Sequence, residues 1–558
     1  MRRCRVKWVE MSSDLVAYLI FFGMVVVLQY CNGAFSNEFG GNWSDEAAHY
    51  VTGLMVHDYC WSGDWSHPRA FAEEYYIRYP KVALGHWPPF FYLLQALWMS
   101  VFSIRSSSLI LFMAVLTVSM TAAVYREARR LHGWWAGLGL GALLLMLPLV
   151  QLSSSMLMAD ILMAFLCFQA TQAFGRYLDH NRWQDACAFG LWSGMAIMTK
   201  GTGLALALLP LPAVAFSRRF DLLRRWTFWL PAVLVAGLCA PWYFLTLGMV
   251  QSGWFESEVS WSYFLKAARF YSHGMVSSMG AGLFALAVLG LFVRLILPAW
   301  RGGATARWSA FGALLASSFL FQCLVPCGVE ERFLLPVLPV LVIAVVAGAE
   351  QAVGFLSSVS ARPMPRLLCP ISIGFLFLAF VNPMPKNVAV FGYSEAANGI
   401  LQNTSERGLV LLVSADTCGE GMLVSEVAKR DRRHAHIVLR TSKVLSSSHW
   451  SGKDFALRFA NEQEIARYFE QLSVDFIVLD MTIPPEMQYP DQRQLLAYVE
   501  SASSPYRLAG AFPLVRRTKV FPDGIHVYRL QSAASSRPRN IRVPMDAMLG
   551  KTLEIALP

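Results

Sequence analysis

Charge is what this sequence has least of. Only 15% of its 558 residues are Asp, Glu, Lys or Arg, against 55% hydrophobic, where soluble domains carry roughly 25% charged residues. That deficit excludes an ordinary soluble protein. Apolar runs of about 20 residues, the length that crosses a bilayer, recur from Leu15 to about Asn382. Cysteine chemistry is scarce too: none of the ten cysteines forms a CxxC pair, and no Cys/His spacing suits a structural zinc. Cys323 and Cys327 read as two small apolar residues rather than a disulfide. No GxGxxG fingerprint appears, so no nucleotide site is assigned. No internal repeat is visible.

The net charge of +10 sits in short turns between apolar runs. Its members are Arg2, Arg3, Arg5 and Lys7; Arg126, Arg129 and Arg130; Arg218, Arg219, Arg224 and Arg225; Arg301 and Arg307; and Arg362 and Arg366. This is the distribution of cytoplasmic loops and not a nucleic-acid-binding stripe. Hydropathy predicts spans at 13–31, 107–126, 135–151, 157–177, 185–199, 203–217, 227–247, 279–298, 307–325, 334–350 and 367–382, about eleven crossings. The basic start resembles a signal peptide. Asp14 and the long run to Tyr30, without a small-residue cleavage site, predict instead a retained first helix with its amino end in the cytoplasm. A further apolar stretch, 88–104, would reverse the sidedness of the basic loop at 125–133 if it crossed. It is therefore expected to lie along the outer face, launched by Pro88 and Pro89.

After the last span the composition changes. GLVLLVSAD (408–416), HIVLRT and DFIVLD read as strands, with helices at 420–433 and EQEIARYFEQL, so a small α/β domain with a largely parallel sheet is expected. The expected organisation is a membrane domain over 1–383, an external α/β domain over 384–532 and a loosely ordered Ser/Arg-rich tail over 533–558.

Against this apolar background a few ionisable groups stand out, since removing them from water at a bilayer is costly. Asp45 and Glu46 open DEAAHYV, which reads as the start of an interfacial helix, where acids suit the amino end. Asp160 sits isolated at the mouth of another apolar segment. Parity places all three on the non-cytoplasmic side, where converging carboxylates suggest acid–base chemistry. The few basic groups expected there are Arg69, Arg78, Lys81, Lys200, Lys266, Arg269 and Arg332. Lys200 lies between two short spans and needs an anion, a polar cavity or a path to the surface. Arg332 either meets a bound anion or pairs internally with Glu330 or Glu331. Arg269 belongs to an outer loop, 248–275, with Glu256 and Glu258. His86 precedes the double proline and is a candidate for a phosphate hydrogen bond. His49 reads as an interfacial polar residue, and the carboxylates near it leave a divalent ion open; no metal ligand is assigned.

The acidic pair, GHWPPFFYLL, MADILMAF, MTKGTGLALALLP, CAPWYF and ERFLLPVLP occur in a fixed order. Together they resemble membrane glycosyltransferases of the GT-C superfamily, the ArnT-like and protein-O-mannosyltransferase-like enzymes, over roughly residues 10–385. The family more often has Pro where this chain has Thr202, and its HPP element here reads His86-Trp87-Pro88-Pro89. The resemblance implies a polytopic GT-C-type α-helical fold in a plasma (inner) membrane. It implies transfer from a polyprenyl-phosphate sugar to a lipid, protein or polysaccharide hydroxyl. Asp45 matches the general base. Glu46 would orient a hydroxyl or sustain the pKa of Asp45, and Asp160 would hold the acceptor, share the base role or be structural. Lys200 and Arg332, with His86, Lys81 and Arg269 behind them, would hold the donor phosphate. The absence of a DxD motif from the outer loops favours a lipid-linked donor. Transporters and flippases also carry intramembrane charges, and a scaffold with a partner-binding tail is a third reading.

Overall fold

Eleven expected spans correspond to eleven helices or bent helix pairs. The computed structural model describes residues 2–254, 258–360, 368–381, 386–402, 408–447, 455–531, 540–544 and 552–556; Glu256, Arg362 and Arg366 lie outside them. The single helices are Arg2–Cys31, Ser106–His132, Asp160–His180, Trp183–Ile197, Trp226–Trp254, Ala306–Leu324 and Leu368–Phe380. Ala281–Arg301 forms a further apolar span. Bent or composite spans are Trp134–Met146 with Pro148–Ser154, Gly201–Ala207 with Pro210–Ser217, and Glu331–Val337 with Leu338–Ser360. By length and apolarity alone five described helices can cross a membrane, or six with the pair bent by 71° at Leu147. That bend follows from Pro148, which disfavours helical backbone at the residue before it; Leu147 is extended, at φ −65° and ψ 130°. Side chains from the first span then fix the turn after the bend: Gln29 donates to Ser154 O at 2.7 Å and Asn32 to Ser155 Oγ at 2.8 Å.

The apolar stretch at 88–104 becomes a 12-residue helix, Phe90–Val101, about 18 Å long and too short to span. Leu93, Leu97 and Val101 form an exposed stripe at four-residue spacing along it. The expected outer loop 248–275 is instead largely helical, since one helix continues to Trp254 and another runs Trp261–Met279.

The two ends of the bundle differ in chemistry. Helix Ser106–His132 begins where Lys429 of the α/β domain bonds Ser106 Oγ at 2.9 Å. It ends where Arg129 pairs with Asp14 and where Glu127 pairs with Arg307 at 2.6 Å. The basic turns thus gather at the end remote from the α/β domain.

That domain is built on one sheet. Val410–Ser414 lies between Ile437–Arg440 and Phe476–Asp480, both parallel to it. Beyond Phe476–Asp480 the sheet turns antiparallel through Lys519–Leu530, Tyr506–Arg516 and Val390–Phe391. The expectation of a largely parallel sheet is therefore corrected: three of its five strand pairings are antiparallel. The long hairpin escaped the sequence reading because Pro513 and Pro522 interrupt it and register shifts at Leu508/Gly510 and Phe512/Leu514 break its alternation. The tail also departs from expectation, as Asn540–Pro544 and Thr552–Ala556 pair antiparallel. Cys323 and Cys327 are both free thiols.

Glu38, buried in the loop after the first helix, accepts from the amides of Gly392, Tyr393 and Ser394. Tyr79 donates to Asp431 at 2.8 Å. These contacts, with helix Thr417–Arg430 packed on helix Ser44–Trp61, seat the α/β domain directly over the acidic pair.

Candidate active site

Helix Ser44–Trp61 follows Trp43, which is extended, and carries Asp45 and Glu46 in its first turn. Consecutive helical residues diverge by about 100°, so the two acids enter different surroundings. Glu46 is completely buried. It accepts from Gly40 N and Leu157 N, each at 3.1 Å, and from Asn37 Nδ2 at 3.2 Å. The expected catalytic role for Glu46 is corrected accordingly. No substrate hydroxyl reaches a sealed side chain, and Glu46 is a brace between the loop after the first helix and the turn before Asp160.

Burial pushes the Glu46 carboxyl from 4.5 to about 7, with its three N–H donors opposing the rise. A carboxyl that holds its proton more tightly when folded contributes stability fully present below pH 4.5 and lost as pH rises through 7. The wild type should therefore lose about 3 kcal/mol across that window, and Glu46→Gln should flatten the profile. Thermal unfolding in detergent between pH 4 and 8 checks this; identical slopes in the two proteins would refute it.

Asp45, Asp160, Lys200 and Arg332 converge from four separate elements. Lys200 Nζ donates to Asp160 Oδ1 at 2.6 Å. Arg332 Nη2 donates to Asp45 Oδ2 at 3.0 Å and to Glu330 Oε1 at 2.9 Å. Its Nε lies 2.5 Å from Glu330 Oε2, and Nη1 lies 3.9 Å from Asp160 Oδ2. Asp160 is 1% exposed, and its Oδ2 accepts no hydrogen bond among the described residues. Asp45 remains 30% exposed. Burial raises the Asp45 carboxyl, but the Arg332 guanidinium beside it, with Lys81 behind, holds it below the ordinary carboxylate range.

The TKGTG element explains how Lys200 is aimed. Helix Trp183–Ile197 ends, Lys200 turns extended, and a tight turn folds back so closely that a Cβ on Gly203 would stand 2.7 Å from the Ala196 carbonyl carbon. Any larger residue there would push the turn, and Lys200 with it, away from Asp160.

The other predicted residues are placed less centrally. Lys81 is near Asp45 but donates to Ser44 O at 3.2 Å. Burial and then Arg440 lower its ammonium to about 8, against the pull of Asp45 and Glu420. His86 is half-buried beside Trp87. Arg269 is exposed on helix Trp261–Met279 and joins no ion pair among the described residues; it is not brought to the cluster. Sequence reasoning undervalued three groups. His49, one turn after Asp45, bonds Tyr92 through Nδ1 at 2.8 Å and stacks on Trp87 at 4.3 Å. Burial lowers it to about 3, so it is neutral. Trp43 lies over the Arg332 guanidinium at 5.6 Å. Phe333 touches both cations, 4.7 Å from Lys200 and 5.8 Å from Arg332. The four-residue spacing of Asp45 and His49 was the one signal available. Among the described residues no three His, Cys, Asp or Glu are grouped to hold a metal ion.

Phe333 is also the wall of an apolar cavity of about 440 Å³ that runs between helices toward Phe216, lined by Phe284, Leu295, Leu315 and Val337 among others. The two cations and the apolar cavity thus share one aromatic side chain. Such an arrangement suits a molecule with a charged head and a long apolar tail.

Residues 86–245 match the dolichyl-phosphate-mannose-protein mannosyltransferase family. No curated protein matches by sequence. Among solved structures, ArnT from Cupriavidus metallidurans in the apo state is similar over 96% of this chain and 100% of its own, at 14% identity and TM-score 0.57. The same protein bound to undecaprenyl phosphate covers 93% and 99%, at 14% identity and TM-score 0.56. The Archaeoglobus fulgidus oligosaccharyltransferase in the apo form covers 84% and 69%, at 15% identity and TM-score 0.52.

Proposed function

We propose that this chain, a glycosyltransferase of the GT-C type, moves one sugar from a polyprenyl-phosphate donor to an acceptor hydroxyl, with inversion at the anomeric carbon. The observation that carries this reading is the junction at Phe333 of a two-cation anion site with an apolar cavity. The presence of undecaprenyl phosphate in a structure of similar fold supports the same donor class.

The donor phosphate would rest on Lys200 and Arg332 with its prenyl chain in the cavity. As the anomeric carbon–oxygen bond breaks, negative charge grows on the phosphate, and fixed cations in a water-poor site stabilise that charge. The acceptor hydroxyl is deprotonated by Asp45, which is 30% exposed and touches Arg332 through one nitrogen only. Arg332, once engaged by phosphate, holds Asp45 less firmly, so its carboxylate becomes more basic when the donor is in place. Asp160, with one oxygen fixed by Lys200 and the other unpartnered, would receive a hydroxyl of the sugar or acceptor. Direct displacement by the activated hydroxyl gives inversion. Acceptors in this reading are lipid, protein or polysaccharide hydroxyls. Purified protein given a polyprenyl-phosphate sugar and acceptor should release polyprenyl phosphate without any ion gradient. Movement of intact donor across a vesicle membrane, with no release, would favour a transporter.

We further infer that the protein is multi-pass in a plasma (inner) membrane, with the cluster and the α/β domain on the non-cytoplasmic side. The gathering of basic turns at the opposite end supports this orientation. A cysteine at the exposed position Asp64 or Glu486 should react with a membrane-impermeant reagent in intact cells, and one at Arg301 should not. Labelling of Asp64→Cys and Arg301→Cys from the same side would overturn the topology.

A further inference from the structure

The cluster holds more carboxylates than it has cations to match. In direct contact, Asp45, Asp160 and Glu330 surround Lys200 and Arg332, three anions against two cations, with Lys81 the next cation, behind Asp45. A phosphodiester entering this group would add a fourth anion beside the same two contacting cations, an arrangement that like-charge repulsion in a partly buried site disfavours. One carboxylate must leave.

The geometry identifies which. Asp160 is almost fully buried and tied to Lys200 at 2.6 Å. Asp45 is fixed to the first turn of its helix and touches Arg332 through one nitrogen only. Glu330 instead lies along the Nε–Nη2 edge of Arg332: its Oε1 accepts from Nη2 at 2.9 Å, and its Oε2 stands 2.5 Å from Nε without forming a hydrogen bond there. That edge, with two parallel N–H groups, is the face a guanidinium presents to a phosphate in bidentate recognition. Glu330 is 30% exposed. Its backbone is extended, at φ −136° and ψ 138°, just ahead of the turn Glu331–Val337 and two residues after Gly328 at φ +90°. It can swing outward without disturbing a helix.

We propose that Glu330 is a built-in competitor for the donor phosphate, occupying the phosphate-binding edge of Arg332 in the empty enzyme and yielding it when donor binds. This rests on the assignment of Lys200 and Arg332 to the donor phosphate. Glu330 keeps Arg332 ordered and its charge compensated between turnovers, where an unpaired buried guanidinium would be costly. It also sets a threshold: a ligand must offer an oxyanion good enough to displace a carboxylate already in place, which discriminates against neutral or weakly charged lipids.

The test is binding of undecaprenyl phosphate to the purified protein in detergent, comparing wild type, Glu330→Gln and Glu330→Ser, with thermal stability measured with and without lipid. Removing the competing charge should tighten binding on the order of tenfold. It should lower the stability of the empty protein and enlarge the stabilisation given by the lipid. The serine variant, which cannot form the ion pair, should tighten binding in the same direction if glutamine fails to fold. Unchanged or weaker binding in a folded variant, with wild-type binding intact, overturns the competitor role and makes Glu330 a support for Arg332. A wild type that does not bind the lipid at all overturns the donor assignment, and this inference with it.

Discussion

Asp45→Asn is expected to abolish nearly all transfer, lowering turnover by about two to four orders of magnitude, the usual weight of a general base. The substitution is close to isosteric, so helix Ser44–Trp61 keeps its start and Arg332 keeps an oxygen to meet. What is lost is the site for the acceptor proton. The effect should therefore fall on turnover, with donor binding unchanged or slightly tighter because a competing charge has left Arg332. That split separates a base from an anchor: an Asp45 that only positioned Arg332 would show weakened donor affinity and a modest change in rate. Initial rates at saturating donor, with undecaprenyl phosphate affinity measured on the same preparations, decide between them. Wild-type turnover would remove Asp45 from the chemistry.

Replacing Lys200 or Arg332 by Gln should weaken donor binding by about ten- to a hundredfold, the value of a desolvated charge-assisted contact of about 1.5–3 kcal/mol. Turnover should fall as well, because phosphate charge grows as the sugar leaves. Lys200→Arg should not rescue. The turn at Gly203 sets Lys200 Nζ 2.6 Å from Asp160, and a planar fork is larger than the compact ammonium it replaces. Both changes leave buried carboxylate without its partner, so some loss of stability accompanies them. Comparison at matched folded fraction removes that component. Variants that bind and turn over like wild type would make the cluster purely structural and move the phosphate site toward Lys81 and His86.

The contrast between these residues and their neighbours separates local from tertiary information. A span advertises itself in a run of apolar residues, and the Pro88-Pro89 pair marks where a helix can start, whereas the bend at Leu147 interrupts what reads as one span over 135–151. The parallel strands were legible for the same reason: Val410–Ser414 and Phe476–Asp480 are short apolar runs buried on both faces. Asp45, Asp160, Lys200 and Arg332 were legible because a charge in an apolar stretch is too costly to be casual, and because the motifs around them resemble a known family. Their pairing was not legible. Arg332 meets Asp45 across 287 residues and Lys200 meets Asp160 across 40, and nothing in either local sequence encodes the partner. Asp45 and Glu46 read alike, yet a rotation of about 100° between them leaves one in the cluster and seals the other beneath it. The antiparallel hairpin 506–530 was hidden because Pro513, Pro522 and two register shifts break its alternation, while pairing with Phe476–Asp480 supplies the order. Sequence by itself determined which groups are expensive and where the chain must turn, since both follow from neighbours along the backbone. Only the tertiary structure decided which expensive groups compensate one another, because that compensation is made by contacts between distant segments.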